Sequence, residues 1–154
     1  MSASGQYKYS GAEALVKLHE IYFKRFLATW EEAKELNIKL PETSDTDYQS
    51  YDTLLFHLFR ASRGYLVWIC EKLGTAEPAI PYPPENIAEV KEEYLRNLLE
   101  QRKIPLRDIE EERFHNPSFK SNWGSDYNID AMMEHAVMHP IRHEFQLRNL
   151  IEGR

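Results

Sequence analysis

Six histidines carry most of the chemistry available to this chain: His19, His57, His115, His135, His139 and His143. Three of them stand four apart, in Glu134-His-Ala-Val-Met-His-Pro-Ile-Arg-His143. On a helix, residues four apart sit one turn up and about 40° round, so neighbouring imidazoles can reach one cation. Neutral imidazole is the commonest protein ligand for zinc, nickel, copper and iron. The spacing therefore points to metal binding.

At about 100° per residue, His143 falls on the face of Met132, Ala136, Leu147 and Leu150 and so points inward. His139 lies at the edge of that face, while His135 turns further toward solvent, as a spectator or supporting group. A site built on the pair His139 and His143 needs a third ligand from another helix. His57 is one candidate, beside Leu54, Ala61 and Trp68 at the margin of an apolar stripe. His19 is the other, one turn from Leu15, Tyr22 and Phe23. Spacing does not choose between them. His115 reads as an ordinary loop histidine.

Pro140 separates the inward pair. Inside a helix it removes one hydrogen bond and clashes with the Ala136 carbonyl, at a cost of about 3 kcal/mol. The alternative is that a regular helix begins only at Pro140, as its first residue. Glu134, Arg142 and Gln146 flank the motif and are candidates for orienting ligands or holding an anionic group. For Glu134 and Arg142 the solvated-surface reading is preferred, since charged residues are mostly exposed. No unambiguous general acid or nucleophile accompanies them, so catalytic residues stay unassigned. Cys70, in an apolar helix, reads as a small core residue.

Four helical segments must position these groups. The first opens at Ser10, where Ser10-Gly-Ala-Glu13 has the form of a capping box. It carries Leu15, Leu18, Tyr22, Phe23, Phe26 and Trp30 as a core stripe, with Pro41 as its limit. The second runs from about Ser50 to Leu73, on Tyr51, Leu54, Leu55, Leu58, Tyr65, Leu66 and Ile69, with Gly74 as C-terminal cap. A proline-stiffened connector, Pro78 to Pro84, follows. The third helix spans Glu85 to about Arg102, with Ile87, Val90, Tyr94 and Leu98 on its buried side. From Pro105 to Tyr127 the pattern dissolves into a long connection. Its acidic run, Asp108 to Glu112, lacks calcium-loop spacing and reads as a solvated face. Trp123 and Tyr127 are placed to roof a pocket over a metal. The last helix begins near Asn128, with Tyr127 and Met132 as a hydrophobic staple. The expectation is an all-α four-helix bundle forming a single domain over residues 1–154.

Composition narrows the partners. With 19 Lys+Arg against 25 Asp+Glu, the net charge is −6, and no basic cluster offers itself to nucleic acid or to an anionic membrane. One cysteine excludes an internal disulfide framework and a cysteine-rich zinc site. No apolar run approaches the roughly 20 residues of a membrane span, and the polar segment Met1 to Tyr9 lacks a leader's apolar core. A soluble, cytoplasmic protein is expected.

The stretch His139-Pro-Ile-Arg-His143-Glu-Phe-Gln146 resembles the last-helix His-x-x-x-His-x-x-Gln motif of the DinB/YfiT-like family. His57, isolated in a leucine-rich second helix, matches the position of that family's first ligand. The resemblance covers the chain in helix count and order, and about a dozen residues in motif. Where the family often has Arg-Gly before the glutamine, this chain has Glu144-Phe145. The resemblance implies a commonly dimeric four-helix bundle, here a homodimer, with nickel or zinc held by His57, His139 and His143. It also implies chemistry on a small molecule, since relatives include thiol S-transferases and a thiol-dependent isomerase, with a low-molecular-weight thiol as cosubstrate. An open coordination position would suit activation of a thiol or water. The alternative is a non-catalytic metal-binding module in stress response or protein interaction.

Overall fold

The computed structural model describes residues 6–153. The first five residues of the segment Met1 to Tyr9, read above as carrying no leader, lie outside that range, as does residue 154. The described chain is mostly helical: α1 (Ser10–Glu35), α2 (Tyr51–Leu73), α3 (Ile87–Lys103), a short α4 (Glu111–His115) and α5 (Ile129–Glu152). Two strands of two residues each, β1 (Phe119–Lys120) and β2 (Asp126–Tyr127), pair antiparallel with Phe119 opposite Tyr127. The connection from Pro105 to Tyr127 is thus partly ordered, by elements too short to leave a periodic trace. The all-α class holds.

Helix ends show why these residues form these elements. The capping box expected at Ser10 does not form. Ser10 is already helical and Tyr9 is the cap, its carbonyl accepting from the Ala12 and Glu13 amides at 3.1 and 3.4 Å. Tyr9 is fixed from elsewhere. Its hydroxyl donates to Asp130 Oδ1 at 3.1 Å, and its ring packs 4.8 Å from that of Phe114. The ring occupies the space a Cβ would need at Gly11.

α1 also stops earlier than Pro41. Asn37 takes a left-handed conformation, φ 53°, which asparagine tolerates better than most residues. The Asn37 amide donates to the Lys34 carbonyl at 3.1 Å and the Ile38 amide to Ala33 at 3.0 Å, a Schellman ending. α2 follows expectation more closely. Ser50 and Thr53 form a reciprocal capping box, and Gly74 closes the helix at φ 70°. Asn128 Oδ1 caps α5 by accepting from the Ala131 amide at 2.7 Å. α5 then runs unbroken through Pro140, which rules out a helix that starts at the proline.

α5 packs against both α1 and α2, and α3 packs against α2 and α1. Phe23, Phe26, Trp30, Leu55, Leu58, Phe59 and Leu98 form one apolar cluster, and Cys70 is buried within it. Val16, Trp68, Phe114, Ile129 and Met132 form a second, against which Tyr127 packs. Leu18, assigned to the α1 stripe, is exposed, because α1 turns Val16 and His19 inward instead. The acidic residues between 108 and 112 are exposed, as expected. Among the described residues, no helix is long and apolar enough to cross a membrane. Between α1 and α2 a 3-10 turn, Thr46–Tyr48, packs on α2, its start capped by Asp45 Oδ1 accepting from the Asp47 amide at 3.0 Å.

Candidate metal centre

α5 presents His139 and His143 one turn apart, and α2 brings His57 against them. One nitrogen of each ring lies within 4.8 Å of the others, close enough to bind a metal ion. His57 Nε2 and His139 Nε2 are 3.0 Å apart. Ring centroids stand at 4.8 Å (His57–His139), 4.9 Å (His139–His143) and 5.6 Å (His57–His143). His139 and His143 are buried and His57 is half-buried. Burying an imidazole among other imidazoles disfavours its cationic form. Burial, then the neighbouring histidines, push His139 down to about 2. Burial first and then His57 push His143 down to about 4, against a hydrogen bond to Gln146 that raises it. His57 is lowered by burial, which outweighs the opposing pull of Asp47. All three rings are therefore neutral at pH 7, as metal ligands must be.

Two of the three far nitrogens face a polar partner. His57 Nδ1 lies 3.3 Å from Asp47 Oδ2, and Arg60 Nη2 grips the same carboxylate at 3.1 and 3.2 Å. His143 Nδ1 donates to Gln146 Oε1 at 2.9 Å. A proton kept on Nδ1 leaves Nε2 as the free lone pair, the arrangement that orients histidines on metals. His139 Nδ1 is buried with no hydrogen-bond partner. Tyr48 closes the near side. Its hydroxyl lies 3.3 Å from His57 Nε2 and its ring 5.4 Å from that of His143. Burial, then Asp45 and Asp47, raise the Tyr48 phenol, so it keeps its proton. Zinc–imidazole bonds are about 2.0–2.1 Å, so nitrogens this close need only small ring rotations to share an ion. The donor set fits a divalent cation.

A cavity of about 750 Å³ opens onto the cluster, with His57, His139 and His143 in its wall beside Leu40, Tyr48, Leu54, Arg142 and Leu150. The roof expected from Trp123 and Tyr127 is not there. Those rings cover His135 instead, Trp123 stacking on it at 5.0 Å and Tyr127 meeting it edge-on at 5.6 Å. The wall opposite α5 comes from the chain between α1 and α2.

His135 stays outside the cluster, in contact with Tyr65 at 5.1 Å. His19 is wholly buried, its Nε2 3.5 Å from Ser62 Oγ and its Nδ1 unpartnered, and it is not one of the clustered three. His115 is on the surface, 4.0 Å from Glu111. Glu134 is exposed, and Cys70 does not line the cavity. Sequence reasoning missed Asp47, Tyr48 and Arg60. The first two sit in a loop without periodicity, and the only trace was a run of turn-forming residues, Thr43-Ser-Asp-Thr-Asp47, ahead of α2.

No protein-family model, curated protein or solved structure matches this chain.

Proposed function

We propose that His57, His139 and His143 hold one divalent metal ion, zinc or nickel, in a DinB/YfiT-like four-helix bundle that works on a small molecule. The observation that carries this reading is the meeting of three neutral imidazoles at the wall of a cavity. A site with three protein ligands leaves a coordination position open, the mark of a catalytic rather than a structural centre.

When bound, the ion supplies Lewis acidity, lowering the pKa of a thiol or water that reaches it. The protein's own groups do the rest. Asp47 keeps a proton on Nδ1 of His57, and Gln146 keeps one on Nδ1 of His143. Tyr48 Oη holds a proton at the cavity wall. Leu40, Leu54 and Leu150 exclude water around the reacting groups. The reaction class that suits this arrangement is thiol transfer or hydrolysis, with a low-molecular-weight thiol as cosubstrate in the first case. The free Cys70 suits a reducing cytoplasm. Met138 and Phe145, seven residues apart on α5 and both exposed, suit a second copy of the chain as partner.

Elemental analysis of untagged protein, beside the triple variant His57→Ala, His139→Ala, His143→Ala, tests the centre. The expected result is about one equivalent of metal per chain in the parent and none in the folded variant. No metal in the parent and no uptake on titration overturns it.

A further inference from the structure

The cavity beside the histidines has a charge pattern unlike the rest of the protein. Among the described residues that line it, Arg142 alone bears a formal charge, and no carboxylate faces it. The chain as a whole has net charge −6. The other arginines near the site are engaged: Arg60 with Asp47, and Arg148 with Glu32 and Glu144. Arg142 makes no hydrogen bond and no ion pair with any described residue. The rest of the wall is mainly apolar, with Leu40, Leu54 and Leu150 prominent. Its volume, about 750 Å³, falls in the range of about 300–1,000 Å³ used for small organic ligands, well beyond a bare ion.

We infer that this cavity binds an amphipathic organic carboxylate, its head on the Arg142 guanidinium beside His139 and His143 and its apolar body along Leu54 and Leu150. The inference rests on the reading of this cavity as the substrate site of the proposed centre. A guanidinium presents two parallel N–H groups that match a carboxylate. One arginine, with no second cationic side chain in the wall, suits a single carboxylate head better than a polyphosphate. The apolar wall penalises a ligand that is polar throughout, because its polar groups would be buried without partners.

The test is titration of octanoate, octanol and acetate into the full chain, zinc-treated and chelator-treated, followed by methyl NMR. Zinc content is measured on the same samples. Octanoate is expected to shift the Leu54 and Leu150 methyls and to bind more tightly than octanol or acetate. Arg142→Gln, a change at an exposed position, should weaken octanoate about tenfold and leave octanol unchanged. Equal binding of octanoate and octanol, or no effect of Arg142→Gln, overturns the inference. If zinc binds while octanoate selectivity is absent, this inference falls and the metal centre stands. If octanoate binding depends on Arg142 while zinc is not taken up, the metal centre falls and the carboxylate site stands.

Discussion

Asp47 Oδ2 lies 3.3 Å from Nδ1 of His57, behind the ring whose opposite nitrogen meets His139 at 3.0 Å. A loop carboxylate thus faces the outer nitrogen of a helix histidine, where its charge favours a proton. Partners of this kind usually change metal affinity by about 10–100-fold when removed. Asp47→Ala is therefore expected to weaken zinc binding by about that factor, read by competition with a chromophoric chelator. Its effect on melting should be small, because exposed ion pairs contribute only about 0–1 kcal/mol. Unchanged affinity would show that Asp47 does not position the ligand.

His19 makes metal-free protein sensitive to acid. Burial first, then Arg102 and His139, hold its pKa well below 6.5 in the folded chain, whereas the unfolded chain protonates it near 6.5. Below that pH the unfolded state binds the extra proton, so stability rises with pH. The contribution is complete above 6.5 and is lost as pH falls from there toward the depressed native value. The urea midpoint should drop between about pH 7.5 and about pH 5, and drop less in His19→Gln. An identical drop in parent and variant would remove His19 from the account.

Gly64 sits exposed within α2, with no atom within 4 Å of where a Cβ would go. Helical glycine costs about 0.5–1 kcal/mol relative to alanine. Gly64→Ala should raise the melting temperature by about 2–4 °C, with metal content unchanged. A lower melting temperature would indicate that this face is covered in solution.

Phe145 is 63% exposed on α5, and Met138, two turns before it, is 47% exposed. If a second copy covers them, Phe145→Glu should convert a dimer to a monomer in sedimentation equilibrium while helix content persists. A monomeric parent would reject the homodimer outright.

The parts of this structure legible in the sequence are those decided locally. Ser50, Gly74 and Asn128 announce the ends of α2 and α5 because capping chemistry is short-range. The inward turn of His139 and His143 follows from one helix's own periodicity. The choice of His57 over His19 depends on how α1 and α2 rotate against α5, which neither helix encodes alone. Asn37 ends α1 through a left-handed turn that glycine more commonly supplies. Arg102 reads as a surface charge at the end of α3, yet it is 1% exposed, and burial pushes its pKa down to about 10. Asp47 and Tyr48 reach the site from a connection with no repeating pattern to follow.

His57 and His139 are 82 residues apart along the chain, while His139 and His143 share one helix. An ion held by all three would act as a clasp across that long loop. Clips that close long loops remove the most freedom from the unfolded chain, and binding confined to the folded state adds its own free energy to folding. The local pair on α5 would still offer a weak two-point grip in unfolded chains, which subtracts from that gain. Metal occupancy would then report the docking of α2 on α5, and parting those helices would release the ion.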